Sequence, residues 1–414
     1  GQSRIDQDTR DVRAHAARPV IIDRQFEYDQ AFHGFEANLQ RDFDAGTVTH
    51  RLGAGLEYRR TRTEELRDGK ETGIEDGASQ SIILGEEFPL RDFPVTDTDE
   101  WGMYVEDAVL LGDVTLIAAV RADRYALSPR EDAIYREDNP TAEPVSLSES
   151  DLSPKLGLVW HATDRADLFL QYAHGFRAPP FDDANIGLDI PLFKYRAIPN
   201  PDLRSESSDG FDAGIRLQGS PGYLRLALFH TVYDDFIDSK ARLGYDAASD
   251  RVLFQSRNIG EARISGIEGS FGAVLPHSGE TLSIDGSFYA ARGENRENGE
   301  ALNSVGPAQA VLGFNWTSPD GRRQLRLATT LTDAWTDRDD SAGDLFEPPG
   351  YALFDLLFSQ ALGERSVLRA GLMNLTDRTW WQWTTVGGLP PADPLLPALA
   401  QPGRNLSIGI EWHW

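Results

Sequence analysis

A single phenol stands between two cations at Phe193-Lys194-Tyr195-Arg196. Ionised, a tyrosine is a ligand for ferric iron. Lys194 and Arg196 would favour the phenolate form and are suited to meet carboxylates on whatever approaches. The plainer alternative is a loop aromatic beside two solvated cations. Two short groups bracket this segment: Phe176-Arg177-Ala178-Pro179, which continues into Pro180, and Asn200-Pro201-Asp202-Leu203, which leads into Arg204-Ser205-Glu206. Other chemistry finds little to work with. The 414 residues include no Cys, so disulfides and Cys-based zinc or iron–sulfur sites are excluded. The eight His form no HxH or HExxH cluster, and no GxSxG nucleophile motif occurs. Asp333, Asp337, Asp339, Asp340, Asp344 and Glu347 have the oxygen ligands Ca²⁺ takes, but without EF-hand spacing they read better as solvated loop acids. A formal net charge of −26 argues against a nucleic-acid partner, which needs Lys and Arg to neutralise phosphates.

The elements that must hold these residues are strands. Leu406, Ile408, Ile410, Trp412 and Trp414 alternate with Asn405, Ser407, Gly409, Glu411 and His413, so one face of the last segment is apolar and the other polar. The same period of two recurs at Leu52-Leu56, Leu224-Leu228, Leu325-Leu331 and Leu368-Leu372, with Arg, Gly, Ala, Thr or Glu on the opposite face. No run of about 18 apolar residues exists, which excludes helical membrane spans. Leucine on one face and arginine on the other suits a barrel with lipid outside and water inside. Sixteen strands are predicted, near 1–10, 24–43, 47–65, 98–111, 114–127, 150–162, 166–176, 205–218, 222–238, 252–275, 280–294, 305–318, 322–337, 349–362, 365–378 and 403–414. Short turns fall near 44–46, 112–113, 164–165, 220–222, 277–279, 319–321 and 363–365. Long links fall near 67–97, 128–149, 177–204, 239–251, 338–349 and 379–402. Short turns at one end and long loops at the other are the outer-membrane arrangement. No repeat of about 40 residues supports a propeller.

Within this frame Arg177 faces the lumen, with Asp182, Asp183 and Glu206 as candidate partners, and Pro179-Pro180 ends its strand. His50, His161 and His277 fall near short turns, His33 inside a long strand, His174 and His230 in the lipid-facing register, and His413 at the end of the last strand. His15 sits in a loop and is the only other external donor. Trp380, Trp381 and Trp383 read as girdle and loop packing.

The pair Phe176-Arg-Ala-Pro179 and Asn200-Pro-Asp-Leu203 resembles the FRAP and NPxL boxes of TonB-dependent haem and haemoglobin receptors. Asn258-Ile-Gly260 with Ser265-Gly-Ile-Glu268, Asn374-Leu-Thr-Asp377 and Pro402-Gly-Arg404 are similar to TonB-dependent receptors generally. The resemblance spans residues 98 to 414. It implies a 22-stranded transmembrane antiparallel β-barrel, filled by an N-terminal plug and driven through that plug by the TonB–ExbB–ExbD complex. The sixteen strands would be the last of twenty-two, so residues 1–414 are expected to form an incomplete barrel lacking plug and first strands. The box-bearing segment would be the seventh extracellular loop. The resemblance implies haem or a haem protein as ligand, no intrinsic cofactor, and an outer-membrane setting against lipid and lipopolysaccharide. Related receptors place a His between the boxes. Residues 180–199 hold none, so Tyr195 becomes the candidate haem-iron ligand, with Phe193 as cover and Lys194, Arg196 and Arg177 as contacts or braces. A passive anion-preferring porin and a receptor for a non-haem ligand such as a siderophore are the alternatives. An outer-membrane protease or lipase finds no catalytic constellation.

Overall fold

Every long strand pairs antiparallel with the next. A computed structural model describes residues 1–14, 18–140, 142–277, 279–341 and 343–412. His15, His413 and Trp414, and Ser278 of the predicted 277–279 turn, lie outside the described residues. Sixteen long strands follow in order: β1 Gln2–Arg13, β2 Val20–Ala45, β3 Val48–Gly73, β4 Val95–Leu111, β5 Val114–Arg130, β6 Leu147–Thr163, β7 Ala166–Arg177, β8 Glu206–Gly219, β9 Gly222–Asp246, β10 Arg251–His277, β11 Glu280–Asn295, β12 Gln309–Thr317, β13 Arg323–Thr332, β14 Tyr351–Ala361, β15 Ser366–Met373 and β16 Asn405–Trp412. Their hydrogen-bonded ladders form one continuous sheet. Among the described residues β1 pairs only with β2, and β16 only with β15.

The outer face follows the leucines. Trp160, Leu168, Ile215 and Leu226 are direct cross-strand neighbours on four successive strands. Leu170, Leu228 and Ile408 are 52%, 54% and 67% exposed, so the apolar stripe is a surface and not a dry centre. The opposite face carries ion pairs. Arg326 grips Asp285 with two bonds of 2.8 Å, and Arg59 reaches Glu100 at 2.6 Å. Buried apolar clusters lie above this band instead. One joins Val20 and Ile22 to Ile83, Phe88 and Leu90; another joins Ile259, Ala262 and Leu302.

Within the described residues the short turns fall where the sequence puts them. Gly46 and Gly112 supply φ values of 69° and 59°, which a tight reversal needs and other residues rarely adopt. The predicted long link at 239–251 is a correction. There β9 and β10 run on to Asp246 and resume at Arg251, leaving four residues to turn. The ladder slips between Asp238 and Ala241 and between Arg242 and Gly244. Such bulges admit polar residues into a strand and hide its period. The later strands are shorter than predicted: β12 starts at Gln309, β13 ends at Thr332 and β15 at Met373. Side chains of the last long loops pack on one another there. Trp335 bonds Val305 O at 3.1 Å, Trp381 bonds Leu396 O at 2.8 Å, and Trp380 rests on Tyr351.

Candidate functional site

The box-bearing segment begins where β7 stops. Pro179 and Pro180 cannot donate to a ladder, so the strand ends at Arg177 and Pro180 starts the short helix α1, Phe181–Asn185. A hairpin follows: Leu188–Ile190, a one-turn 3-10 helix at Pro191–Phe193, then Lys194 in the left-handed region at φ 51°, and Tyr195–Ala197 returning. Tyr195–Ala197 also pairs in parallel with Val252–Phe254 at the start of β10. The segment is therefore built into the sheet extension.

The two boxes meet on α1. The amide of Asn200 donates to Ala184 O at 3.2 Å, and its side-chain amide to Ser256 O at 2.8 Å. Asp183 is 3% exposed; it accepts from Ser256 Oγ at 2.6 Å and Ser239 Oγ at 2.9 Å. Ser256 in turn accepts from the Lys240 amide at 3.0 Å. Asn185, fully buried, exchanges two bonds with the backbone of Val145. Buried polar groups satisfied this fully fix one arrangement of a loop. Leu203 closes the second box as a buried apolar plug. Arg177 sits directly across from Glu206 and bonds it at 3.2 Å, while the other Glu206 oxygen takes the Ile237 amide at 2.8 Å. Of the three carboxylates the sequence offered Arg177, Glu206 is the partner. Asp182 pairs with Lys240 and Asp183 with the two serines.

Tyr195 is half-buried and stacks on Phe254 at 4.5 Å between ring centroids, 24° from parallel. Its hydroxyl has no hydrogen-bond partner among the described residues. Burial raises the phenol above its ordinary pKa, and the cation that opposes this is Lys240. The expected depression by Lys194 and Arg196 is not what the geometry gives. Neighbouring side chains on a strand point to opposite faces, and Lys194 turns away to Asp250 at 2.9 Å. Phe193 is 72% exposed and Leu192 is 55% exposed beside it, forming an apolar tip.

A second charged cluster supports this loop from below. Glu65, at the top of β3, is 2% exposed and accepts the Asp92 amide at 3.0 Å through one oxygen, while the other has no partner. Burial, then the neighbouring Asp92, pushes its pKa up to about 8. Burial and Asp92 likewise raise Asp138 to about 7. Arg67 holds Asp92 at 3.0 Å and Glu86 at 2.9 Å, and Arg91 bonds the Glu65 carbonyl and Asp132. Asp92 O accepts from Gly187 N at 2.6 Å, which ties the cluster to the box loop. A Cβ on Gly187 would collide with Asn139 Oδ1, so a larger residue there has to push the Asn139 side chain aside. No sequence motif marks Glu65, Asp92, Ser256 or Asn185. The sequence signal for Asn258, whose side chain bonds Arg204 O and Asp235 O, was the Asn-Ile-Gly group.

The histidines serve locally. His50 bonds Asp107 at 2.7 Å, His161 bonds Asp167 at 2.8 Å, His174 bonds Asp209 at 3.1 Å and His230 bonds Ser265 at 2.7 Å. Asp337 pairs with Arg292 and Glu347 with Arg338, while Asp333 and Asp339 accept nearby amides.

An outward-apolar, inward-charged antiparallel wall with short turns at one end and built loops at the other defines an outer-membrane β-barrel receptor or transporter. The chain belongs to the TonB dependent receptor-like β-barrel family, whose model matches residues 2–375. It is 25% identical over 338 residues to hemoglobin-haptoglobin utilization protein B of Neisseria meningitidis serogroup C, covering 72% of this chain and 42% of that protein. It is 26% identical over 336 residues to heme/hemopexin utilization protein C of Haemophilus influenzae, covering 74% of this chain and 42% of that one. The chain thus spans less than half the length of these relatives. The copper transporter OprC superposes with a TM-score of 0.70 at 16% identity, over 99% of this chain and 61% of that chain. That likeness is one of fold.

Proposed function

We propose that residues 1–414 form the last sixteen of twenty-two strands of a TonB-dependent receptor that takes up haem, or iron from a haem protein. The carrying observation is that the second box is bonded to α1, which follows directly on the first, and that Ser256 holds both Asn200 and, on α1, Asp183, giving the exposed Leu192–Phe193 tip a fixed base. Two relatives with haem or haemoglobin in their names match over more than two thirds of the chain. Among the described residues β1 and β16 each have one ladder partner, so both edges are open to pairing with further strands. Energy would come from TonB–ExbB–ExbD acting on a plug segment.

Haem is a flat macrocycle with two propionates. Phe193 and Leu192 offer it apolar cover, and the unengaged Tyr195 hydroxyl an oxygen donor. Metal binding to a phenol requires loss of its proton, so the raised Tyr195 pKa makes ligation weaker toward acid pH. The test is ferric haem titrated into the full-length receptor. A high-spin spectrum of tyrosinate type is expected, and Tyr195→Phe, which keeps the stack on Phe254, should abolish it. An unchanged spectrum discards Tyr195 as ligand. Absence of haem binding discards the haem assignment.

A further inference from the structure

Arg216 and Arg225 face each other directly across β8 and β9, three residues above the turn that begins after Gly219. Both point to the inner face, since their neighbours Ile215, Leu217, Leu224 and Leu226 hold the outer one. Like charges placed opposite one another on a sheet destabilise it. Elsewhere on this wall inward arginines are matched to carboxylates: Arg59 to Glu100, Arg121 to Asp123, Arg326 to Asp285 and Arg369 to Glu411. Among the described residues, Arg216 and Arg225 enter no ion pair. Arg216 lies over the Phe169 ring at 5.0 Å and Arg225 over Tyr223 at 5.5 Å. Asp167, the other cross-strand neighbour of Arg216, is taken by His161 at 2.8 Å.

The same ladder row continues to Ser270 and Ser287, whose hydroxyls have no hydrogen-bond partner among the described residues. Together these side chains line a concavity of ≈ 440 Å³. Its upper rim is formed by Phe169, Tyr289, Gln309 and Glu268, which has no ion-pair partner among the described residues.

We propose that Arg216, Arg225, Ser270 and Ser287 form a carboxylate-binding site near the short-turn end of the lumen. Arg216 and Arg225 stand opposite each other on adjacent strands, one guanidinium over Phe169 and the other over Tyr223, and a carboxylate between them would gain charge-assisted bonds from both. Bound anion relieves the repulsion between the arginines. Phe169 and Tyr289 give the carboxylate-bearing group an apolar seat, and Glu268 disfavours multiply charged ligands. The carboxylate comes either from an acidic side chain of a polypeptide lying in the lumen or from a free organic acid.

The two sources are separated by titrating the full-length receptor in detergent micelles at low ionic strength. One arm uses acetate as the free acid, and the other an acetylated, amidated Gly-Asp-Gly peptide. Binding of either probe, weakened at least tenfold by Arg216→Ser/Arg225→Ser together and strengthened by Glu268→Gln, is the expected result. Arg216→Lys/Arg225→Lys should keep part of the affinity, which controls for folding of the serine variant. If neither probe binds the wild-type chain more tightly than the folded serine variant, the site does not exist.

Discussion

Replacing Glu65 by Gln removes a titration on which the loop base depends. An ordinary glutamate has a pKa of 4.5, and burial beside Asp92 raises this one to about 8. The folded cluster therefore keeps its proton over a range where an opened one has lost it. Stability contributed by the neutral acid is full below about 4.5 and is lost as pH rises toward 8. Raising a pKa by one corresponds to ~1.36 kcal/mol, so the loss by pH 8 is on the order of 4 kcal/mol, divided between Glu65 and the interacting Asp92. The substituted carboxamide keeps an oxygen for the Asp92 amide and carries no proton to lose. The assay is hydrogen exchange at the Arg67 and Leu90 amides, which bond each other's carbonyls at 3.0 and 2.9 Å. Protection, corrected for intrinsic rate, should match in wild type and Glu65→Gln near pH 4. By pH 8 the variant should be better protected, by a factor of a hundred or more. Equal protection across pH 4–8 would refute a buried neutral acid at this position.

Three further outcomes follow from the same geometry. Ser256→Ala strips a donor from Asp183 and an acceptor from the Lys240 amide, and should loosen both boxes by about 2 kcal/mol; faster tryptic cleavage at Lys194 or Arg196 is the readout, and unchanged cleavage counts against the brace. Leu170→Lys should cost roughly 2–4 kcal/mol if near the bilayer midplane, while the inward Gln171→Lys, beside Asp212, should be tolerated. Urea titration in lipid vesicles compares the two, and the reverse order would invert the assignment of faces. Arg177→Ala leaves Glu206 with its Ile237 amide, so haem titration of that variant should be unaltered if Arg177 only braces.

How far the sequence reached depends on whether the decisive signal was local. The lipid-facing leucines recur every second residue because each strand meets two solvents, and that period is readable without partners. Turn glycines such as Gly46 and Gly112 announce themselves through the backbone they permit. The 239–251 extension was missed because its bulges break the period and its outer side chains meet water, so no apolar alternation remains. Tyr195 stands out in the sequence as a phenol between cations, but its electrostatics run the other way. Adjacent residues on a strand diverge, and the controlling neighbours, Phe254 and Lys240, are about 50 residues distant in the chain.

The order of sixteen strands, their two-solvent faces and the existence of a box-bearing loop were determined by the sequence itself, since each is set by neighbours one or two residues apart or by short motifs. Only the tertiary structure decided that Asp183 rests on Ser256, that Glu65 is buried beside Asp92, and that Arg216 meets Arg225. Those pairings depend on ladder register and loop closure, and a carboxylate's environment is made by whichever distant segments come to enclose it.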